Sequence, residues 1–436
     1  MKKRIIGSLL AGFVAISATA QVSSTLSPYS QFGLGVLADQ SQGLGRAMGG
    51  LGIGLRDSKH PNVLNPASYS AVDSLTMVFD LGVSGQLTSF KEETQRVNRK
   101  TADFDYAVAL FRVLPRLGAS FGVIPYSNIG YNYYNKQTIG SESGKVSEST
   151  YTNTYSGSGG FSQAFIGLGW EVFNGFSLGA NVSYLWGKYS KTVSGVFADS
   201  YANSLTRNYS INVNSWKLDL GAQVVTKLGK DDRLTFGVVA GIGHTMHGDA
   251  VLAVRNTNSN TGVTTSTNDT IANALSLPYT FGAGLSLTHK QSLTVGVDYS
   301  MQRWGKLDYP QVNEETNKYQ LASGLLKDRH KVAVGADWVP DPNPLSRGFF
   351  KHIHYRIGAS YATPYYNIGN LEGPKELSVS AGFGIPIINT WNNRTSLNIS
   401  AQWVRTSADN LITENTFRIN IGLTFNERWF AKWKVD

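Results

Sequence analysis

From residue 74 onward the chain alternates apolar and polar residues at period two. The last segment sets Phe417, Ile419, Ile421, Leu423 and Phe425 against Arg418, Asn420, Gly422 and Thr424. The one before sets Leu397, Ile399, Ala401 and Trp403 against Ser396, Asn398, Ser400 and Gln402. Leu377 to Ile385 and Tyr279 to Leu287 repeat the pattern. Successive strand side chains point to opposite faces, so each segment has one greasy face and one polar or small face. Fourteen such segments are predicted, near 74–90, 101–114, 116–135, 147–173, 175–193, 207–229, 232–254, 270–288, 291–304, 328–340, 351–364, 374–388, 394–407 and 414–430. Most exceed the ~5–6 residues of globular strands and reach the ~9–11 of a tilted membrane strand.

The connections alternate too. Stretches at 91–100, 136–146, 194–206, 255–269, 305–327 and 365–373 read as long polar loops. Between them fall short turns at Pro115, Asn174-Gly175, Lys230-Asp231 and His289-Lys290. Two connections depart from this scheme. The Pro-rich 341–350 turn is long where a short one belongs, and 408–413 is short where a long one belongs. Short turns at one end and long loops at the other are the pattern of an outer-membrane barrel. Backbone groups in lipid need internal partners, which only helices and closed barrels supply. Trp170, Trp186, Trp304, Trp338, Trp391 and Trp429 fall near segment ends and are predicted to form an interfacial girdle. The expected fold is therefore an all-β, transmembrane antiparallel barrel of about fourteen strands over 74–430.

The N-terminus reads as an export signal. Lys2, Lys3 and Arg4 precede an apolar Ile5–Ile16 core, and Ala18-Thr19-Ala20 is a small-residue cleavage site. The mature chain is expected to begin at Gln21, leaving 1–20 as signal peptide and taking the formal charge from +9 to +6. That charge is spread along the chain, unlike a clustered nucleic-acid footprint. Charged residues are only 16% of the chain, below the roughly 25% of soluble domains. Without cysteine, no disulfide scaffold, thiolate metal site or Cys nucleophile is available.

Residues 21–73 do not alternate. They are rich in glycine, yet Phe32, Leu34, Leu44, Met48, Leu51, Ile53 and Leu55 are too apolar for a solvated linker. Side chains fill a barrel of about eight strands, so a fourteen-strand lumen needs another occupant. This segment is expected to fold inside as a plug, with glycines where backbone packs closely on the wall.

The run Gly43-Leu44-Gly45-Arg46-Ala47-Met48-Gly49-Gly50, followed by Asp57 and Asn65-Pro66-Ala67, resembles the hatch segment of the FadL family. That family comprises outer-membrane transporters of long-chain fatty acids and other hydrophobic molecules. The opening Ser27-Pro28-Tyr29-Ser30-Gln31-Phe32-Gly33 and the ending Asn426-Glu427-Arg428-Trp429-Phe430 look like its Bacteroidota branch. The chain departs from many barrels by running past Phe430 into a basic tail, 431–436. The resemblance implies lumenal binding of a hydrophobic molecule and sideways release where the third strand is kinked. Release into the membrane spares a fatty chain the cost of ~0.8 kcal/mol per exposed CH₂. The third segment carries Pro125, Tyr126, Ser127 and Gly130 where such an opening would lie. Pro removes a ladder donor and is expected to mark a bulge or break; the structural alternative is a bulge without a passage.

Arg46, Arg56 and Lys59 are candidates to meet a ligand carboxylate, with pairing to Asp39, Asp57 or the wall carboxylate Asp80 as the preferred structural alternative. Phe32 and Leu34 are candidate lumenal contacts, and Asn65, Pro66 and Ala67 either set a turn or act as a hinge. Catalysis is not expected. Gly118-Ala119-Ser120-Phe121-Gly122 matches an esterase string but lies in a strand without the elbow that chemistry requires. His244 with His247 and His352 with His354 lack the further ligands of a metal site. No cofactor is called for. The first functional reading is a passive channel for hydrophobic molecules, with membrane lipids and an apolar ligand as partners and no nucleic acid. The alternative is a FadL-type barrel serving as a structural or accessory subunit of an outer-membrane secretion or assembly complex. The 341–350 connection and the basic tail are then candidate contacts for an outer-membrane or periplasmic protein.

Overall fold

The computed structural model describes residues 27–74, 76–139, 149–198, 201–313, 316, 318–343, 346–388 and 394–427. The signal peptide, Trp391, Trp429 and the 431–436 tail lie outside the described residues.

Fourteen antiparallel strands form one closed barrel. They are β1 (Met77–Glu92), β2 (Gln95–Leu114), β3 (Leu117–Ile139), β4 (Ser149–Phe173), β5 (Phe176–Phe197), β6 (Ser204–Leu228) and β7 (Asp232–Gly241). The second half is β8 (Thr280–His289), β9 (Leu293–Gln302), β10 (Arg329–Trp338), β11 (His354–Ala362), β12 (Lys375–Ile388), β13 (Arg394–Ser407) and β14 (Thr413–Glu427). Neighbours in sequence pair throughout, and the barrel shuts where β1 pairs with β14 from Met77↔Glu427 to Lys91↔Thr413. Closure removes the sheet edges that lipid could not hydrogen-bond.

The alternation maps onto the two faces as expected. Leu81, Val83 and Leu87 of β1, like Ile419, Ile421 and Leu423 of β14, are 42–46% exposed on the outer face. Their intervening neighbours Asp80, Ser84, Asn420 and Thr424 are buried on the inner face. Short turns close one end, with Arg116 and Gly175 at positive φ where the chain reverses. In barrels of this kind the turns face the periplasm and the loops the exterior.

Four elements differ from the expected layout. The 91–100 stretch is a tight hairpin, because Glu93 takes φ 48° and lets β1 and β2 run on with only Glu93 and Thr94 between them. The 232–254 segment is interrupted after Gly241, and Ala250–Thr257 then resumes pairing with Ser204–Ile211 of β6, one residue out of register with β7. The 255–269 loop is largely ordered, with Thr264–Ile271 completing a hairpin on Ala250–Thr257. Trp304 is not a girdle residue. It is 1% exposed, within an aromatic core under the loops that also holds Tyr126, Phe161, Tyr189 and Tyr365. Trp170 and Trp338, by contrast, are about half exposed (53% and 49%) on the outer face.

Candidate functional site

Residues 27–74 run through the lumen, from the loop end to the turn end. Every strand from β2 to β14 sets at least one residue against them. At the loop end, Ser27 donates to Glu414 at 2.6 Å, and Lys191 Nζ donates to the Gln31 and Gly33 carbonyls at 2.7 and 3.2 Å. A two-residue strand, Val36–Leu37, pairs antiparallel with Ser127 and Asn128 of β3. The short α1 (Gly43–Ala47) then packs on β12, β13 and β14. At the turn end a 3-10 helix, Pro66–Ala71, sits in the mouth. Its Asn65 cap accepts the Ala67 N–H at 3.1 Å.

Glycines on both partners explain how backbone gets this close. A Cβ on wall Gly237 would lie 2.0 Å from the Ile53 carbonyl oxygen, and one on Gly358 would lie 2.1 Å from the Met48 carbonyl carbon. From the segment's side, Gly49 (φ 72°) lies against the Ala359 backbone, 2.7 Å from a built Cβ. Glycine alone fits both the left-handed dihedral and the gap.

Wall side chains then satisfy the buried backbone of the segment. Asp298 accepts three successive N–H groups, from Gly52 at 2.7 Å, Ile53 at 2.8 Å and Gly54 at 3.1 Å. Such a concave run of N–H groups suits an anion. On the acceptor side, Gln223 Nε2 donates to Ile53 and Leu55 carbonyls at 3.1 and 2.9 Å, and Ser286 donates to Gly54 at 2.7 Å.

The candidate cations are placed structurally. Arg46 is buried and pairs with Asp105 at 2.9 Å, not with Asp39, Asp57 or Asp80 carboxylates. Its other nitrogens donate to the Ser41 and Asp39 carbonyls and to Asn420, and Tyr106 lies under it at 5.5 Å. The long reach of Arg across α1 to β2 decides that partner. Arg56 donates to the Ala67 carbonyl, Gln223 and Ser70. Lys59 is exposed at the turn end, where its backbone N–H donates to Asp57 at 2.6 Å. Asp80 instead accepts from Tyr106 and Thr424. Beside Arg46, burial pushes the Asp39 carboxyl up. Lys331, Arg46 and the Ser41 donors outweigh that and hold it down at about 2.

Phe32 stacks on Tyr366 at 5.4 Å, and Leu34 is buried in the core under the loops. Asn65 bridges segment and wall, its Nδ2 donating to Ile53 and Ala222 carbonyls at 2.9 and 3.3 Å. Pro66 and Ala67 are buried beside it. Pro125 does mark a bulge, with the β3–β4 register slipping between Pro125 and Ser127 so that Tyr126 is extra. The β2–β3 ladder also ends there, at Ala107↔Val123. Above that point the lumenal segment bonds to β3: Gln40 to the Pro125 carbonyl at 2.8 Å, Ala38 N–H to Tyr126 at 3.0 Å, and Ser27 N–H to Gly130 at 2.8 Å. Ser120 of the esterase-like string lies in β3 and donates to the Ala109 carbonyl, a strand contact. His244 stacks on Trp216, while His354 pairs with Asp337 and His352 bonds the Asp341 carbonyl, so neither pair shares a site.

Between segment and wall lies a cavity of about 340 Å³ whose lining includes Asp39, Lys217, Asp219, Arg329, Lys331 and Arg418. Asp298, Gln223 and Asp105 are wall residues that bond the lumenal segment, and alternation alone does not single them out. A lone charge at an inward position, as Asp298 between outward Val297 and Tyr299, was the available signal.

A sequence profile of the BamG family matches residues 1–436, the whole chain. The chain belongs to the BamG family. Among curated proteins none matches it. This BamG-family barrel is similar in fold to the Ralstonia pickettii toluene transporter TbuX, at 13% identity and a TM-score of 0.57, covering 89% of this chain and 98% of that one. The Pseudomonas putida toluene transporter TodX gives 13% and 0.56, covering 90% and 100%. A Pseudomonas aeruginosa FadL homologue gives 12% and 0.55, covering 90% and 98%. At such identities the likeness is one of fold. The BamG-family chain is thus an outer-membrane barrel with a FadL- and TodX-like architecture.

Proposed function

We propose that this barrel is a non-catalytic accessory subunit of the BAM outer-membrane assembly complex. The observation that carries the reading is the match of the entire chain to the BamG family. The lumen supports it. Its occupant packs against thirteen of the fourteen strands, and the lining of the remaining cavity includes charges that a hydrophobic passenger would have to desolvate. The 341–350 connection supplies a contact surface at the turn end. Phe349 and Phe350 stand 59% and 72% exposed there with ring centroids 5.5 Å apart. Beside them His352 bonds to the Asp341 and Ser346 carbonyls at 3.2 and 3.0 Å. Exposed aromatics on a fixed support are typical anchors of a protein interface. Replacing both by Ser is expected to leave a folded, heat-modifiable barrel that no longer co-purifies with other assembly subunits. Full retention of the complex by the double variant would remove this surface from the reading.

One observation favours a second reading, lateral passage of a hydrophobic molecule. The β2–β3 ladder stops at Ala107↔Val123, leaving a seam at the position of Pro125, Tyr126, Ser127 and Gly130. In that reading the Val36–Leu37 strand acts as the gate. Uptake of a labelled apolar probe by cells with and without the protein separates the two, since only lateral passage requires a difference.

A further inference from the structure

The outer face of β5 changes chemistry abruptly. Leu178, Val182 and Tyr184 are 45–59% exposed, and Trp186 follows, stacked on Tyr184. The next outward residues are Lys188 and Ser190. On β6 the same switch falls after Trp216, where the outward residues become Asn214 and Asn212. Aromatic rings gather where hydrocarbon meets headgroups, so the bilayer ends at Trp186 and Trp216. The strands do not end there. They continue as a wall beyond the membrane, β6 pairing with Ala250–Thr257.

At that height the sheet is creased. Gly159, Gly160, Gly187 and Gly248 have φ of 121°, 144°, 158° and 157°. A Cβ on any of them would lie 2.2–2.4 Å from a carbonyl oxygen of the adjacent strand. The crease leaves a groove of about 920 Å³ whose lining includes Lys188, Ser190, Asn212, Asn214, His247 and Asp249. It is open to the outside, carries these polar side chains beside Tyr189, Ile211 and Val251, and lies directly above the aromatic belt.

We propose that this groove binds the sugar–phosphate headgroup of an outer-leaflet glycolipid. A molecule there has its acyl chains against Val182, Tyr184 and Trp216. Lys188 supplies a cation for phosphate. The two asparagines and Asp249 supply donors and acceptors for sugar hydroxyls, of which a sugar headgroup offers more than a phospholipid headgroup does. The site lies on the outer wall, away from the turn-end surface, so it stands or falls independently of the assembly role.

The test is native mass spectrometry of the detergent-solubilised full chain, titrated with a diphosphorylated glucosamine glycolipid or with phosphatidylglycerol. The intact barrel is expected to retain the glycolipid at least tenfold more tightly than Lys188→Glu does. The paired change Asn212→Leu with Asn214→Leu, which keeps the charge, is expected to lose as much. All three side chains are outward, so heat-modifiability on gels verifies that the variants fold. Equal glycolipid retention by the intact chain and Lys188→Glu would overturn the site. So would equal tightness for phosphatidylglycerol, which would leave only charge attraction.

Discussion

Asp298→Ala removes the acceptor of three lumenal N–H groups while leaving the barrel ladder intact. Gly52, Ile53 and Gly54 point their N–H groups at this one carboxylate, at 2.7, 2.8 and 3.1 Å, in a buried site. A hydrogen bond to a charged group is worth roughly 1.5–3 kcal/mol, and a buried donor left unpaired costs roughly 1–3 kcal/mol. Three such losses would sum higher, but a short side chain leaves space for water to replace part of them. The expected destabilisation is therefore about 3 kcal/mol. It falls on the docking of residues near 48–56, because β9 keeps its ladders to β8 and β10. At ~1.4 kcal/mol per decade, local opening rises roughly 100-fold. Hydrogen–deuterium exchange on the folded barrel reads this directly. Peptides from the Met48–Arg56 stretch are expected to exchange far faster, with peptides from β8 to β10 unchanged. Unaltered protection of the Gly52–Gly54 amides in a folded Asp298→Ala protein would refute the view that this carboxylate fastens the segment.

Gly358→Ala places a Cβ 2.1 Å from the Met48 carbonyl carbon; the expected outcome is release of the segment near Met48, seen as new protease cleavage between residues 43 and 56. Ala38→Pro deletes the N–H donated to the Tyr126 carbonyl at 3.0 Å. It is expected to cost about 1 kcal/mol and to speed exchange in Val36–Leu37 and around Ser127, and unchanged exchange there would mean the pairing with β3 is immaterial. Asp39, held down at about 2 against an ordinary 3.8, stabilises the docked segment above pH ~4 and loses that contribution as pH falls through 2. Segment protection is expected to weaken between pH 4 and 2, and Asp39→Asn is expected to flatten that dependence.

Much of the barrel was legible because a two-faced strand must alternate, and alternation survives in a single sequence. The Thr395–Ser407 stave and its neighbours follow the pattern almost residue for residue. Failures occur where local pattern and pairing partner separate. Ala250–Thr257 alternates and pairs with β6 as a continuation of β7 would, yet its other neighbour is Thr264–Ile271 and not β8, and only the chain's path decides that. Trp304 ends a segment like a girdle residue, but its position faces the core under the loops. In the lumen, glycine spacing and Asn65-Pro66-Ala67 announced a close-packed segment. Which wall residue meets which part of it depends on registers across the barrel. Hence the partner of Arg46 is Asp105 of β2, not a carboxylate of its own segment.

The central claim is that this barrel belongs to an assembly machine, and its most direct test is gentle extraction of the tagged full chain from its own membrane, followed by native mass spectrometry. The expected result is a stoichiometric complex with other outer-membrane assembly polypeptides, unaffected by added fatty acid or toluene. A solitary barrel carrying an apolar molecule of a few hundred daltons, displaced by those additions, would contradict it.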